Sequence, residues 1–550
     1  MNSPQIGNVQ LKNRLVMAPM ISNLASPDGS TSDAHIEYLA RRALGGAGLI
    51  ITEYTYIDRV NSRGSRNEMG IYSDLLLPKL RRLTDRIHSF GTPVFVQLVH
   101  AGGKALESLN GNRNYAPSAV DYSGNMPAEM SHDDISEAQE RFAKAVLLSK
   151  KAGFDGIELH GAHGYLIQEF TSPSLNRRTD RYGGSLENRI RFAQEIIDSA
   201  KSSVDLPVGI RLSLYEDDRD GYPPEYGLKV ADSLKGIDYV HFSAGRFASP
   251  GSSASFYHGR GHIASRLPRK SIHPTMVVGS VTGFEDVDSV LRVADFVSIG
   301  RALLADPFFP RKYQERHAEI RPCIRCNQGC RNLSFGEVRC TVNLDTGFEI
   351  NGKIMPGHLS GEIEIAGGGV KGLEAALHAV KLGLRVTLHE IGDRLGGQLN
   401  AIIDDRKKAE FQRLVGYYSN VLEKSGVNVA MNSRGGTGGI MCLPDVTYPH
   451  LVAKDEVRID SNIYQYQDEA LALAGSCRVY MTNRSLSGLD RDRQIMYRKL
   501  AESMGITFKE RIDNPDVSLV AEKQYDILNA MQSGRNAVNA FLIPRINEFL

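Results

Sequence analysis

The sequence predicts an α/β chain in two parts: a closed (β/α)8 TIM barrel, then a smaller Rossmann-like βαβ domain. Three observations carry that reading. Eight short apolar runs, each leading through a Gly- or polar-rich turn into an amphipathic stretch, recur from Arg14 to about Asp306. Four of the six cysteines then crowd between positions 323 and 340. After them a glycine turn, Gly367 to Gly372, joins a strand to a helix. The expected division is 1–315 for the barrel, 316–350 for the cysteine segment and 360–550 for the Rossmann-like domain.

The apolar runs, in order, are Arg14–Met20, Gly48–Tyr54, Pro93–Val99, Gly156–His160, Val208–Leu212, Tyr239–Phe242, Met276–Ser280 and Phe296–Ile299. Even spacing without a switch-point signature favours a closed barrel over an open doubly wound sheet. Catalytic groups of such barrels stand at the C-terminal strand ends. The fourth run ends in His160-Gly161-Ala162-His163-Gly164-Tyr165, two imidazoles and a phenol able to hold a carbonyl oxygen and deliver a proton. The third run carries Gln97 and ends near His100, and the fifth carries Arg211. An amide and a fixed guanidinium suit a heterocycle with imide edges. The turns Gly279-Ser280 and Gly300-Arg301 follow the last two runs, where barrels bind phosphate.

Composition narrows the function classes. With 65 Lys+Arg against 64 Asp+Glu the net charge is +1, which offers no general attraction to nucleic acid or an anionic membrane surface. No run of about 18 apolar residues is present, and the N-terminus lacks the apolar core of a signal peptide. The expected location is cytoplasmic. There, Cys323-x2-Cys326-x3-Cys330-x9-Cys340 reads as metal ligation, and spacing alone leaves zinc and an iron–sulfur cluster equally open. Cys442 and Cys477 read as isolated small residues.

In the second part, Glu362–Ala366 and Arg385–Glu390 read as strands around a helix at Leu373–Leu382. Gly367-x-Gly369-x-x-Gly372 between them, with Glu390 eighteen residues after Gly372, is a dinucleotide fingerprint. The acidic strand end suits a ribose 2′-hydroxyl, hence an unphosphorylated ADP moiety. Helices are expected at Asp490–Met504 and Asp526–Phe541.

Residues 1–345 resemble the Old Yellow Enzyme family, in the iron–sulfur branch that holds 2,4-dienoyl-CoA reductases, enoate reductases and trimethylamine dehydrogenase. Lys12–Arg14, Met17–Met20, Gln97–Gly102, His160–Tyr165, Asn176–Arg189 and Gly300-Arg301 carry the likeness. It implies FMN over the barrel mouth, with Ala18, Gln97 and Arg211 at the ring system and Pro19 and Met20 beside them. Gly279, Ser280, Gly300 and Arg301 would hold its phosphate. It implies His160 and His163 on the substrate carbonyl, Tyr165 as proton donor, and His258 as a second acid in competition with His262. It also moves Cys323, Cys326, Cys330 and Cys340 to a [4Fe-4S] cluster. Glu390–Gln398 resembles the FAD-binding domain of the same reductases, adding Gln398 to Gly367, Gly369, Gly372 and Glu390.

Beyond Ser433 the likeness fades. No second glycine-rich βαβ unit for NAD(P)H is readable. Ser433–Gly439 has glycines but follows no convincing strand, and the Ala-Thr-Gly turn expected to close the FAD domain is missing. Val517–Ala521 stands where Gly-Asp should precede the last helix, and the chain is about a hundred residues short of such relatives. FAD or an ADP-type nucleotide in this domain therefore competes with a site that has lost its ligand. The expected function is an ene-reductase for an α,β-unsaturated carbonyl, with an electron-transfer protein as partner. The rivals are an amine dehydrogenase, which would link its flavin to a cysteine where Ile21 stands and use tryptophans this chain lacks, Tyr54 being the one match, and a desaturating flavoenzyme.

Overall fold

A computed structural model describes residues 3–549, except 112, 122–125, 247–250, 252–253, 317–318, 332, 334–335, 352–358, 437 and 522–524. Eight parallel strands close in chain order: β1 Leu15–Met17, β2 Leu49–Tyr56, β3 Val94–Val99, β4 Gly156–Gly161, β5 Val208–Ser213, β6 Tyr239–Ser243, β7 Thr275–Val278 and β8 Phe296–Ile299. Each expected apolar run became one of them. Alternation along the strands sorts their side chains. Val94, Val96 and Leu98 face the surrounding helices, while Phe95 joins Val16, Leu49, Tyr239 and Phe296 inside the barrel. Ile6 and Leu11, on and after a small N-terminal ribbon, belong to that inner cluster and plug its lower end.

The outer ring includes α1 Asp33–Leu44, α2 Leu77–His88, α3 His132–Lys151, α4 Leu186–Ser203, α5 Pro224–Ser233 and α6 Phe284–Leu291. Their starts are chemically marked: Ser32, Ser131 and Ser185 each accept a backbone N–H of the first turn. The expectation of eight regular β-α units needs one correction. Between β6 and β7 no α-helix stands among the described residues, and the element there is a 3-10 turn, Ala264–Arg266.

The second part is more complete than its sequence suggested. Strands β9 Glu362–Ala366, β10 Arg385–Glu390, β11 Asn428–Met431 and β12 Ile440–Met441 form a parallel sheet in the order β11-β10-β9-β12. Helix α7 Val370–Lys381 links the first pair and α8 Asp405–Lys424 the next. The loop from Ser433 does follow a strand, β11, against expectation. A second sheet, β13 Glu456–Ile459, β14 Arg478–Thr482 and β15 Thr507–Lys509, is parallel too, wound through α9 Tyr464–Leu473 and α10 Arg491–Ser503. So a second βαβ unit exists, without the glycines that would have announced it. The last helix, α11 Ile527–Leu542, returns to pack along α7. There a Cβ on Gly534 would stand 2.2 Å from the Lys371 carbonyl, so only glycine allows that approach. Among the described residues no helix is long and apolar enough to cross a membrane.

Candidate active site

Successive inward positions of the barrel strands build the site from below. Gln97 and Glu158 are paired across β3 and β4, His160 and Arg211 across β4 and β5, and Arg211 and His241 across β5 and β6. Glu158 is fully buried and accepts from Gln97 Nε2 at 2.6 Å, Tyr239 Oη at 2.9 Å and His241 Nδ1 at 2.9 Å. Burial works against its charge, yet His241 and Arg211 hold its carboxyl below the usual carboxylate range. This buried anion holds the Gln97 amide by its nitrogen and leaves the amide oxygen open. Neither Gln97 Oε1 nor Arg211 Nε has a partner among the described residues, though both are buried. A buried amide oxygen and guanidinium N–H left open at a barrel mouth fit a heterocycle that offers a donor and an acceptor on one edge.

Above this layer stand the predicted imidazoles and phenol. The His160 ring lies 5.1 Å from that of His163 and 4.8 Å from Tyr165, and Tyr54 lies 5.4 Å from Tyr165. Burial, then Arg211, lowers both histidines well below the ordinary value, so both rings are neutral at pH 7. His160 Nδ1 accepts from the Ala162 N–H at 3.4 Å, which leaves the ring proton on Nε2. His163 Nε2 meets Ser243 Oγ at 2.6 Å, and its backbone is left-handed at φ 61°. Burial raises the Tyr165 phenol to about 12, so it keeps its proton.

Sequence reasoning passed over Lys104. Its ammonium donates to the carbonyls of His163 at 2.6 Å and Arg246 at 3.1 Å and sits 5.2 Å from the Tyr165 ring. Burial brings its pKa down to about 8. Its one signal was a lysine two residues past the Gln97–Gly102 motif.

The remaining predicted residues fall into neighbouring groups. The Ala18 N–H donates to Ile299 O, the Pro19 carbonyl accepts from Arg211 at 3.4 Å, and a Cβ on Gly300 would stand 3.0 Å from Met20 Sδ. Arg301 donates to Ser280 Oγ at 3.1 Å, with Gly279 next to it at φ 138°. Arg301 also reaches Asn327 and borders a cavity lined by Cys323, Cys326, Cys330 and Cys340. All four thiols are free, and burial raises Cys326, Cys340 and Cys330, the last to about 12. Among the described residues no three His, Cys, Asp or Glu side chains are grouped to hold a single metal ion.

His258 stands apart from the imidazole–phenol group in its bonding. Its Nε2 pairs with Asp492 Oδ1 of α10 at 2.7 Å, and its carbonyl accepts from Arg325 at 2.6 Å. Burial lowers the neighbouring His262 to about 3. In the second part, the Gly367–Gly372 loop lies where the strand order reverses, between β9 and β12. A Cβ on Gly372 would stand 1.8 Å from the Gly367 carbonyl, the tight turn of such a loop. Glu390 accepts from the N–H groups of Gly368 and Gly392, both at 2.7 Å, and Gln398 is exposed nearby. Cβ-free Gly369 faces Gly397 with room on its open side.

Residues 3–319 match the family model described as NADH:flavin oxidoreductase / NADH oxidase family. An NADH oxidase of Thermoanaerobacter brockii is 38% identical over 443 residues, 77% of this chain and 68% of the relative. A cinnamate reductase of Clostridium sporogenes is 32% identical over 464 residues, 78% of this chain and 70% of the relative. A 2-naphthoyl-CoA reductase solved with 2-naphthoyl-CoA, 23% identical, superposes with a TM-score of 0.83 over 92% of this chain and 86% of that one, a likeness of fold.

Proposed function

The chain belongs to the NADH:flavin oxidoreductase / NADH oxidase family, and on that premise we propose that this flavin oxidoreductase is an ene-reductase acting on an α,β-unsaturated carbonyl compound. The observation that carries the proposal is the neutral His160 and His163 beside a protonated Tyr165, above the open edges of Gln97 and Arg211. The cinnamate reductase relative supports the choice of C=C bond.

Gln97, Arg211, Ala18, Pro19 and Met20 would hold the FMN ring, and Gly279, Ser280, Gly300 and Arg301 its phosphate. Bound there, FMN supplies the hydride. The chain does the rest. A neutral histidine can donate one hydrogen bond without gaining charge, so His160 Nε2–H is suited to the acceptor's carbonyl oxygen as negative charge builds on it. His163, turned by Ser243, adds the second donor. Tyr165, with its proton held to about 12, is suited to protonate the carbon next to the carbonyl. Cys323, Cys326, Cys330 and Cys340 would carry a [4Fe-4S] cluster. One zinc needs its sulfurs about 3.8 Å apart, from a Zn–S bond of about 2.3 Å and a tetrahedron. Four free thiols lining one cavity suit a cluster, where each takes its own iron. A separate electron-transfer protein would feed it.

The test is single-turnover reoxidation of dithionite-reduced protein by cinnamate or a simple enone. Wild type should return to the oxidised flavin spectrum with formation of the saturated product. His160→Ala should slow that step by about 10²–10³, roughly 2.7–4 kcal/mol, as loss of a preorganised donor does. Reoxidation at an unchanged rate in the variant removes His160 from the mechanism. No reoxidation by any unsaturated carbonyl, with bleaching by an amine instead, overturns the reading.

A further inference from the structure

We propose that the cleft on the flank of the barrel, between α1, the cysteine segment and the helices α7 and α11, binds a small phosphate-bearing dianion. Its volume is about 800 Å³, within the usual range for small-molecule sites. It is separate from the glycine loop. Gly369 opens α7 and Lys381 ends it, and twelve helical residues span roughly 18 Å. It is also separate from the barrel mouth, since its barrel wall is the outer face of α1 and the chain after β8.

The argument is one of charge. Arg41, Arg321, Lys381 and Arg535 all line the cleft. Arg535 is bound to Glu374 at 2.7 Å and Asp345 at 2.9 Å, and Arg321 reaches Glu374 at 3.8 Å and the Val342 carbonyl at 2.8 Å. Two carboxylates therefore serve two guanidinium groups. The other lining acids are engaged as well: Glu349 by Arg42, Glu37 by Arg86 and Asp306 by Lys312. Arg41 and Lys381 have no side-chain ion pair or hydrogen bond to any described residue. Arg41 stacks over the Phe308 ring at 4.7 Å and feels Asp345 and Glu349 through space, both of which are already paired with other arginines. The wall thus carries two positive charges more than its acids cancel.

The C-terminal dipole of α7 offsets about half of one charge at Lys381. The rest stands beyond what the paired acids of the cleft cancel. Burial, then Arg321 and Arg535, pull the Lys381 ammonium below the ordinary lysine value despite Glu374 and Asp345. A group of cations held together over apolar wall is costly alone and complementary to an anion of charge near −2. A phosphate monoester has that charge at pH 7, with three acceptor oxygens for Lys and Arg donors. Leu344 and Phe348 give its organic part an apolar surface.

The test uses the flavin-loaded full chain at fixed ionic strength. Inorganic phosphate and phenyl phosphate are titrated calorimetrically against wild type, Lys381→Gln, Arg41→Gln and Lys381→Arg. As a control, Arg385→Gln alters an exposed arginine elsewhere. One molecule should bind per chain. Each glutamine variant should weaken binding at least tenfold, in line with loss of a charged hydrogen bond. Lys381→Arg should restore it, and Arg385→Gln should change nothing. Tighter binding of phenyl phosphate would assign an ester, and equal binding the free ion. Saturating ADP should leave the titration unaltered. Anion binding that ADP displaces and Lys381→Gln spares would assign it to the glycine loop and overturn the proposal. So would no binding above the chloride control, or a dimer that covers the cleft.

Discussion

At the mouth of the barrel the protein sets groups whose protonation burial has fixed beside one it has left movable. His160 and His163 are neutral and Tyr165 is protonated throughout the physiological range. Lys104 differs, because its pKa of about 8 lies within reach. Below that pH it is an ammonium held over the Tyr165 ring, and above it the charge is gone. Deprotonation therefore removes positive potential from the chamber as pH rises. For a carboxylate acceptor such as cinnamate, KM should rise at least tenfold above pH 8, the scale of a charged hydrogen bond. Steady-state profiles for wild type and Lys104→Gln check this. The variant should show the high KM at all pH values and no break near 8. Lys104 and Glu158 were both illegible in the sequence for the same reason. Their partners lie 59 to 142 and 61 to 83 positions away, across the barrel, and no local spacing encodes such contacts.

Elements were legible where glycine or regular alternation marks them. β9 and β10 matched their expected limits to the residue because a glycine turn and a clear apolar run bound them. Helix α8 and the strands β13 and β14 were missed. The strands are only four and five residues long and carry charged or polar residues at their outward positions, Glu456 and Arg458 in one and Arg478 and Tyr480 in the other, with no Gly or Pro at their ends. The helix expected at Asp490–Met504 did form, as α10, and it reaches furthest of the elements in this region. Its cap Asp490 accepts from Asn327, Asp492 accepts from His258 and the Ser255 N–H at 2.9 Å, and Arg493 donates to the Cys326 carbonyl at 3.1 Å. One helix start thus ties the second sheet to the loop after β6 and to the cysteine segment. Asp492→Ala leaves the Ser255 N–H and His258 unpaired, a cost of about 1–3 kcal/mol. Amide exchange at Ser255 and neighbouring residues should quicken by ten- to a hundredfold while barrel-strand amides stay protected. Equal exchange in both proteins would show that the docking does not depend on this carboxylate.

Across the whole molecule the two doubly wound units have diverged in what their crevices can accept. In the first, the switch point holds glycines, and Gly369 presents backbone with open space beside it. In the second, the corresponding crevice lies between the end of β13 and the segment Val517–Ala521, which bridges in parallel to Ile459. The turn there is Asp460-Ser461-Asn462-Ile463, with no glycine. Its polar side chains are already used. Ser461 donates to the Leu519 carbonyl, and Asn462 donates to the Ala521 carbonyl at 2.8 Å while accepting the Ala521 N–H at 2.9 Å. A pyrophosphate needs backbone N–H groups at a helix start and room to approach them. Here an extended stretch, bridged once at Val517 and held by Ser461 and Asn462, lies across that position instead. We propose that the unit keeps its winding as a structural clamp carrying α10 rather than as a seat for a nicotinamide nucleotide. Anaerobic titration with NADH or NADPH should therefore leave flavin absorbance unchanged on the scale of minutes, while dithionite bleaches it and an enone restores it. Rapid bleaching by NADH would overturn the proposal of an outside electron donor. Electrons would then enter from a nucleotide at the barrel mouth or at the glycine loop, and no outside donor would be needed. Substituting Gly369 with a bulky residue separates those two entrances, since only the second loses its seat.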